Sequence, residues 1–241
     1  MTSTEPRTNV IPYAGAPCLR HMAVMFVDLD HFMRICIDDP PEAVFGLLSD
    51  FQHLVTDLVA SFRGELNSYQ GDGVLATFGD VADRPDCATR TLRCARKILE
   101  KIRTLSLDRV DVQPVSVSIG LQYGPIWTST IKTSSRFGPT LIGDAVNVAA
   151  RLEQQAGTLG AQIVAGDDLI QKASREFAPS ASDLAPFVSV GPLLVRGRQT
   201  PVDVWKLQMQ SSDFLLEDAP ALCGAPVATA ALGEAQVGEL S

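Results

Sequence analysis

Two carboxylates, an amide and a guanidinium are the side chains of this sequence best placed to do chemistry. Asn147 and Arg151 stand four residues apart in LIGDAVNVAARLE, the stretch Leu141 to Glu153. Ala145, Val146, Val148, Ala149, Ala150 and Leu152 give that stretch the look of a helix. Its amide and guanidinium therefore share one face, one turn apart. On an otherwise apolar helix either group is costly to bury without a partner. Asp28 closes the apolar run Met22 to Val27, and Asp72 lies in the turn Gly71-Asp72-Gly73. Placed on adjacent strands, two unpaired carboxylates would repel and raise one another's pKa. A divalent cation removes that difficulty, since Mg2+ takes oxygen ligands, usually one or two carboxylates with waters and substrate phosphates. Plainer roles are open to the same residues: a surface stripe or structural hydrogen bond for Asn147 and Arg151, a helix cap for Asp28, a turn aspartate for Asp72.

The elements that hold these residues follow from periodicity and turn chemistry. Met22 to Val27 reads as a buried strand. Glu42 to Phe62 repeats apolar residues at helical spacing and stops at Gly64. Glu65 to Gln70 and Val74 to Phe78 flank the Gly-Asp-Gly tip as a hairpin. A second helix is expected over Pro85 to Leu105, with Pro near its start and Arg90, Arg93, Arg96 and Lys97 as a solvated basic side. Val115 to Tyr123 alternates as a strand, Gly124-Pro125 turns the chain, and Ile126 to Ile131 returns. A polar loop, residues 132–137, leads to the Asn147 helix. Gln162 to Ala165 reads as a short strand, Asp167 to Ala173 as a short helix, and Leu193 to Leu207 as a strand pair around Gly197. Strand, helix, hairpin, helix, strand is the ferredoxin-like order, enlarged at its C-terminal end. The expected fold class is α+β, an antiparallel sheet with helices on one face.

Composition bounds the function. A chain of 241 residues predicts one domain over 21–208, with an N-terminal arm over 1–20 and a disordered tail over 209–241. A hydrophobic fraction of 46% suffices for a core, and a net charge of -8 argues against a nucleic-acid partner. Five cysteines without CxxC spacing read as free thiols of a reducing compartment. With neither a signal sequence nor an apolar run of about 18 residues, a cytoplasmic protein with no membrane span is expected.

VNVAARLE preceded by Gly143, VMFVDLDHF at Val24 to Phe32, and YQGDGVLATFG at Tyr69 to Gly79 occur in an order that resembles the class III nucleotidyl cyclases, the adenylate and guanylate cyclase family. The resemblance runs from about Met22 to Leu207. It is to the bacterial subgroup with Thr at the base-reading Asp position, here Thr140. It implies attack of a ribose 3′-hydroxyl on the α-phosphorus of a nucleoside triphosphate, with release of pyrophosphate and a 3′,5′-cyclic nucleotide. Asp28 and Asp72 would hold two ions, Mg2+ or Mn2+, per active site. Arg151 would stabilise phosphoryl charge and Asn147 would orient the ribose. Leu29, Asp30, His31 and Phe32 would border the triphosphate through backbone N–H groups, with Asp30 a solvated neighbour of the metal pair. Gly71 at the hairpin tip is placed with the substrate-binding residues. In this family two catalytic domains share each site, so a homodimer with two equivalent sites is implied.

Ser68 departs from the pattern. Adenylate cyclases usually carry Lys at this position, four before the second Asp, and guanylate cyclases typically Glu. A hydroxyl can donate or accept, so ATP is expected first, GTP second, with a pyrimidine nucleotide open. A degenerate cyclase domain, kept as a nucleotide-binding or dimerisation module, is the competing reading. Retention of Asp28, Asp72, Asn147 and Arg151 together favours the enzyme. A diguanylate cyclase is disfavoured because QGDG stands where that family has a GGDEF-type turn.

Overall fold

The computed structural model describes residues 16–80, 85–109, 113–132, 137–176 and 181–208. The expected tail and most of the expected arm lie outside these residues. The first strand, β1 (Cys18–Leu29), already begins inside the stretch read as an arm. It is followed by α1 (Phe32–Asp38), α2 (Pro41–Ser61), the hairpin β2 (Glu65–Gln70) and β3 (Gly73–Gly79), and α3 (Cys87–Asp108). Then come β4 (Val117–Lys132), β5 (Phe137–Ile142), α4 (Asp144–Gln155), β6 (Ile163–Gly166), α5 (Asp167–Arg175), α6 (Ala181–Leu184), β7 (Phe187–Leu193) and β8 (Val202–Leu207). The strands form one sheet in the order β2-β3-β1-β4-β6-β8-β7, with β5 paired to β4.

This is the expected α+β class, with two refinements. The pairing of β4 with β6 is parallel, so the sheet is mixed. Helices also lie on both faces rather than one. Ala23, Met25 and Val27 of β1 pack with Phe51 and Val55 of α2 and with Leu92, Ile98 and Ile102 of α3. The alternate residues Met22 and Val24 pack with Ala145 and Ala149 of α4 on the other face. A strand buried on both sides reads as a continuous apolar run, and MAVMFV is one. The run therefore shows that both faces are covered without showing which helix covers which.

Gly124-Pro125 does not turn the chain. β4 runs straight through it, and β5 is the returning strand. Pro lacks the N–H that a ladder needs, but β6 pairs only as far as Leu121 and β5 begins pairing at Trp127. Pro125 occupies that interruption, with His21 of β1 opposite. At the C-terminal end the strand pair is β7 with β8, so Gly197 lies in the loop between them at φ 92.

The basic side of α3 is not a solvated face throughout. Arg90 is 6% exposed and donates to the Asp86 carboxylate at 2.7 Å. It also donates to the carbonyls of Phe62, Arg63 and Gly79 at 2.9, 3.0 and 2.6 Å. One guanidinium thereby joins the end of α2, the end of β3 and the start of α3. Arg93 forks onto Asp183 of α6. The four described cysteines, Cys18, Cys36, Cys87 and Cys94, are unbridged thiols. No helix among the described residues is long and apolar enough to cross a membrane. Replacing Arg90 by Met keeps its aliphatic stem but strands three carbonyls and a carboxylate. Urea denaturation should show a loss of about 3–5 kcal/mol; a loss below about 1 kcal/mol would remove Arg90 from this role.

Candidate active site

Asp28 lies where β1 leaves β3. The last β1–β3 pair is Val27 with Val74, and on the other side Asp28 stands opposite Ser118 of β4. The β2–β3 tip carries Asp72 between Gly71, at φ 68, and Gly73. A side chain at Gly73 would put its Cβ 2.9 Å from Asp28 Oδ1. Glycine there lets the Asp28 carboxylate lie against the hairpin. The tip is tied to α2 by the Tyr69–Thr56 hydroxyl contact at 2.7 Å and by Gln52 Nε2 donating to the Gly71 carbonyl. Sequence-distant Asp28 and Asp72 are thus brought to one corner of the sheet.

Burial pushes the Asp28 carboxyl up to about 6, and the charges of Asp72 and Asp30 add to the effect, against a hydrogen bond from the Leu29 N–H. The charges that act on it most are those of other carboxylates. Carboxylates held together in this way suit a divalent cation. Asp30 is no solvated neighbour. Ser116 and Ser118 each donate a hydroxyl to its carboxylate at 2.6 Å, and its own N–H donates to the Ser116 carbonyl at 3.0 Å. With the amides of Leu29 and Asp30 engaged, a phosphate cradle in this turn would rest on His31 and Phe32. His31 is exposed, holds a left-handed φ of 58, and accepts at its carbonyl from Arg34 and Ile35.

Helix α4 presents Asn147 and Arg151 to a cleft of about 290 Å³ that also takes in Asp144, Val148 and the segment Val195 to Arg198. Val195 is buried in a cluster with Val148 and Leu152, which fixes the β7–β8 loop against the helix. Arg198 donates to Asp144 at 2.7 Å, and Arg151 to its neighbour Gln154 at 2.8 Å. The cleft therefore gathers Arg151, Arg196 and Arg198. The last two were missed in the sequence, where Arg-Gly-Arg in an expected strand pair gave no reason to look. The candidate base-facing residues are both half-buried on separate strands. Ser68 stands beside a bulge of β2 opposite Leu75, and Thr140 stands in β5 opposite Ser129.

Two more acidic features emerge. Glu153 of α4 is pushed up to about 7 by burial first, then by Asp28, Asp30 and Asp72. It is a fourth carboxylate at the metal-suited corner. Asp80, Cys87 and Glu176 form a second cluster with metal-ligating atoms in mutual reach. That cluster already contains a cation, because Lys172 reaches Asp80 at 3.0 Å and Glu176 at 3.6 Å. Glu176 also accepts the Ala88 and Thr89 N–H groups at the start of α3. Burial drives the Cys87 thiol upward as well. This cluster caps the start of α3 and already holds a cation in Lys172.

A mixed sheet with this strand order, a carboxylate pair at the end of its central strand and an Asn/Arg helix across its second face define a nucleotidyl cyclase type of domain. Residues 16–203 match the family of the adenylate and guanylate cyclase catalytic domain, and the chain belongs to that family. The chain is 28% identical over 163 residues to an adenylate cyclase of Anabaena cylindrica, covering 66% of this chain and 32% of that protein. It is 25% identical over 190 residues to adenylate cyclase 1 of Rhizobium meliloti, covering 78% and 27%. The chain thus spans about a third or less of these relatives. Among solved structures, the adenylyl cyclase CyaB of P. aeruginosa superposes with a TM-score of 0.69 at 19% identity, covering 82% of this chain and 98% of that one. The guanylyl cyclase Cya2 does so with 0.65 at 22% identity, covering 80% and 95%.

The raised carboxyls set a pH dependence. Asp28 moves from an ordinary 3.8 to about 6, and Glu153 from 4.5 to about 7. Between those values the folded chain holds protons that the unfolded chain has lost. Their stabilising contribution is complete below about pH 4 and gone above about pH 7. A bound cation selects the ionised forms, so the rise in Tm on adding Mn2+ should grow from pH 5 to pH 7.5. Calorimetry in EDTA and in Mn2+ measures this; an equal rise at both pH values would contradict it.

Proposed function

We propose that this chain is a nucleotidyl cyclase domain that converts a nucleoside triphosphate, ATP first, to a 3′,5′-cyclic nucleotide and pyrophosphate. The observation that carries the reading is the gathering of Asp28 and Asp72, whose charge acts on Asp28, in a chain whose Asn147 and Arg151 open to a cleft with the β7–β8 loop. Asp28 and Asp72 would hold two divalent cations, Mg2+ or Mn2+, which when bound acidify the ribose 3′-hydroxyl and neutralise the triphosphate. Arg151 donates to the phosphoryl oxygens as charge develops on them, and Asn147 holds the ribose in line for attack. Arg196 and Arg198, across the cleft from α4, add positive charge for the departing pyrophosphate.

Asn147 and Arg151 open with the β7–β8 loop to one cleft, while Asp28 and Asp72 lie at the end of β1 and at the β2–β3 tip. One chain therefore offers two half-sites rather than one site. A homodimer in which each site takes Asp28 and Asp72 from one chain and Asn147 and Arg151 from the other accounts for this. The preference for ATP rests on Thr140, which suits the adenine amino group, and on the adenylate cyclases among the relatives. Ser68 leaves GTP as second substrate.

The purified chain incubated with each of the four NTPs and Mg2+ or Mn2+ should yield a cyclic nucleotide by mass spectrometry, most from ATP. No cyclic product under any of these conditions would reduce the chain to a nucleotide-binding or dimerisation module. Ser68→Lys should raise kcat/KM for ATP relative to GTP. A hydrogen bond from a charged donor contributes about 1.5–3 kcal/mol, so roughly ten- to a hundredfold is expected. An unchanged ratio would show that other residues read the base.

A further inference from the structure

Helix α4 sits on the sheet at one glycine. A side chain at Gly120 of β4 would collide with the Ala149 carbonyl and the Glu153 N–H, and its Cβ would stand 2.8 Å from Glu153 Cβ. Gly120 is opposite Phe26 of β1, and Asp28, two residues on, lies on the same face opposite Ser118. Asp28 is thus a diagonal neighbour of Gly120, roughly 7–8 Å away. The contact that seats α4 therefore carries Glu153 to the edge of the metal half-site. Glu153 follows Arg151 by two residues, about 200° around the helix. Asn147 and Arg151 point to the cleft with the β7–β8 loop, while Glu153 points back to its own chain's carboxylates.

We propose that Glu153 is a positioning residue that makes the seating of α4 depend on cation loading at its own chain's Asp28 and Asp72. The proposal rests on the cyclase reading for the cation but not on turnover. With Asp28 and Glu153 ionised and no cation bound, Glu153 faces Asp28, Asp30 and Asp72, and their repulsion works against the close contact at Gly120. With a cation, the same charge is attracted and draws the helix down. Because α4 carries Asn147 and Arg151 on its other side, loading of one half-site sets the placement of the residues offered to the other. In a dimer with shared sites this would link the two active sites through a rigid helix rather than through substrate.

The test is hydrogen exchange of the α4 backbone in EDTA and in Mn2+, on the full chain without nucleotide. Couplings of this kind typically correspond to roughly 5- to 150-fold, and wild-type α4 amides should exchange more slowly by that order when Mn2+ is added. Glu153→Gln, the same size without the charge, should be slow in EDTA already and respond little to Mn2+. Glu153→Asp, shorter but charged, should keep the response. A merely structural side chain would give the reverse order, with Asp the more damaging change. If Mn2+ protects the Gly71 to Gly73 tip while Gln and wild type respond alike at α4, the role of Glu153 is overturned and the metal site stands. If Mn2+ protects neither segment in the wild type, the metal site falls and the proposal with it.

Discussion

Repulsion among carboxylates at one corner of the sheet is the constraint on which this structure turns. Asp28 is placed there by the pairing of β1 with β3 and β4, and Asp72 by a hairpin tip that α2 holds. Asp30 is held in place by two serine hydroxyls. Stability does not account for this gathering, since burial and the charges of Asp72 and Asp30 oppose the ionisation of Asp28. Elsewhere in the same chain buried charge is compensated. Arg90 meets a carboxylate and three carbonyls, and Lys172 sits between Asp80 and Glu176. The contrast is what supports the proposal of a cation at this corner.

The second face of the sheet gives that corner its counterpart. Only a residue without a side chain allows α4 to lie on β4 at Gly120, and Gly143 makes a similar approach to the Pro125 carbonyl. Held there, the helix has one side in the cleft with Arg196 and Arg198 and the other beside Asp28. A domain built in this way carries its carboxylates and its arginines on opposite sides of one helix. Shared sites in a dimer are the arrangement that such a division suits.

Much of this was legible in the residues. The strand before Asp28, the hairpin around Asp72 and the helix of Asn147 and Arg151 all carry local signals: an apolar run, a Gly-Asp-Gly tip, a 3.6-residue period. What was not legible depends on contacts between distant segments. Pro125 reads as a turn unless the interruption beside it is known. Asp30 reads as solvated until Ser116 and Ser118 arrive from β4, and nothing in the sequence singles out Glu153 until Gly120 brings it down on the sheet. Arg196 and Arg198 lie in a loop whose position is set by the burial of Val195. The short helix α1 was hidden because His31 starts it in a left-handed conformation, which a sequence pattern does not announce.

The central claim, that one active site takes its carboxylates from one chain and its arginine from another, is tested most directly by mixing two inactive variants, Asp72→Asn and Arg151→Ala. Each homodimer has both sites broken. In a mixed dimer the Arg151→Ala chain supplies intact Asp28 and Asp72, and the Asp72→Asn chain supplies intact Asn147 and Arg151. With free exchange half the dimers are mixed, each with one of two sites working, so about a quarter of wild-type cyclase activity should return. Mixed dimers that form, as shown by tagged co-purification, yet recover no activity would contradict a site divided between chains.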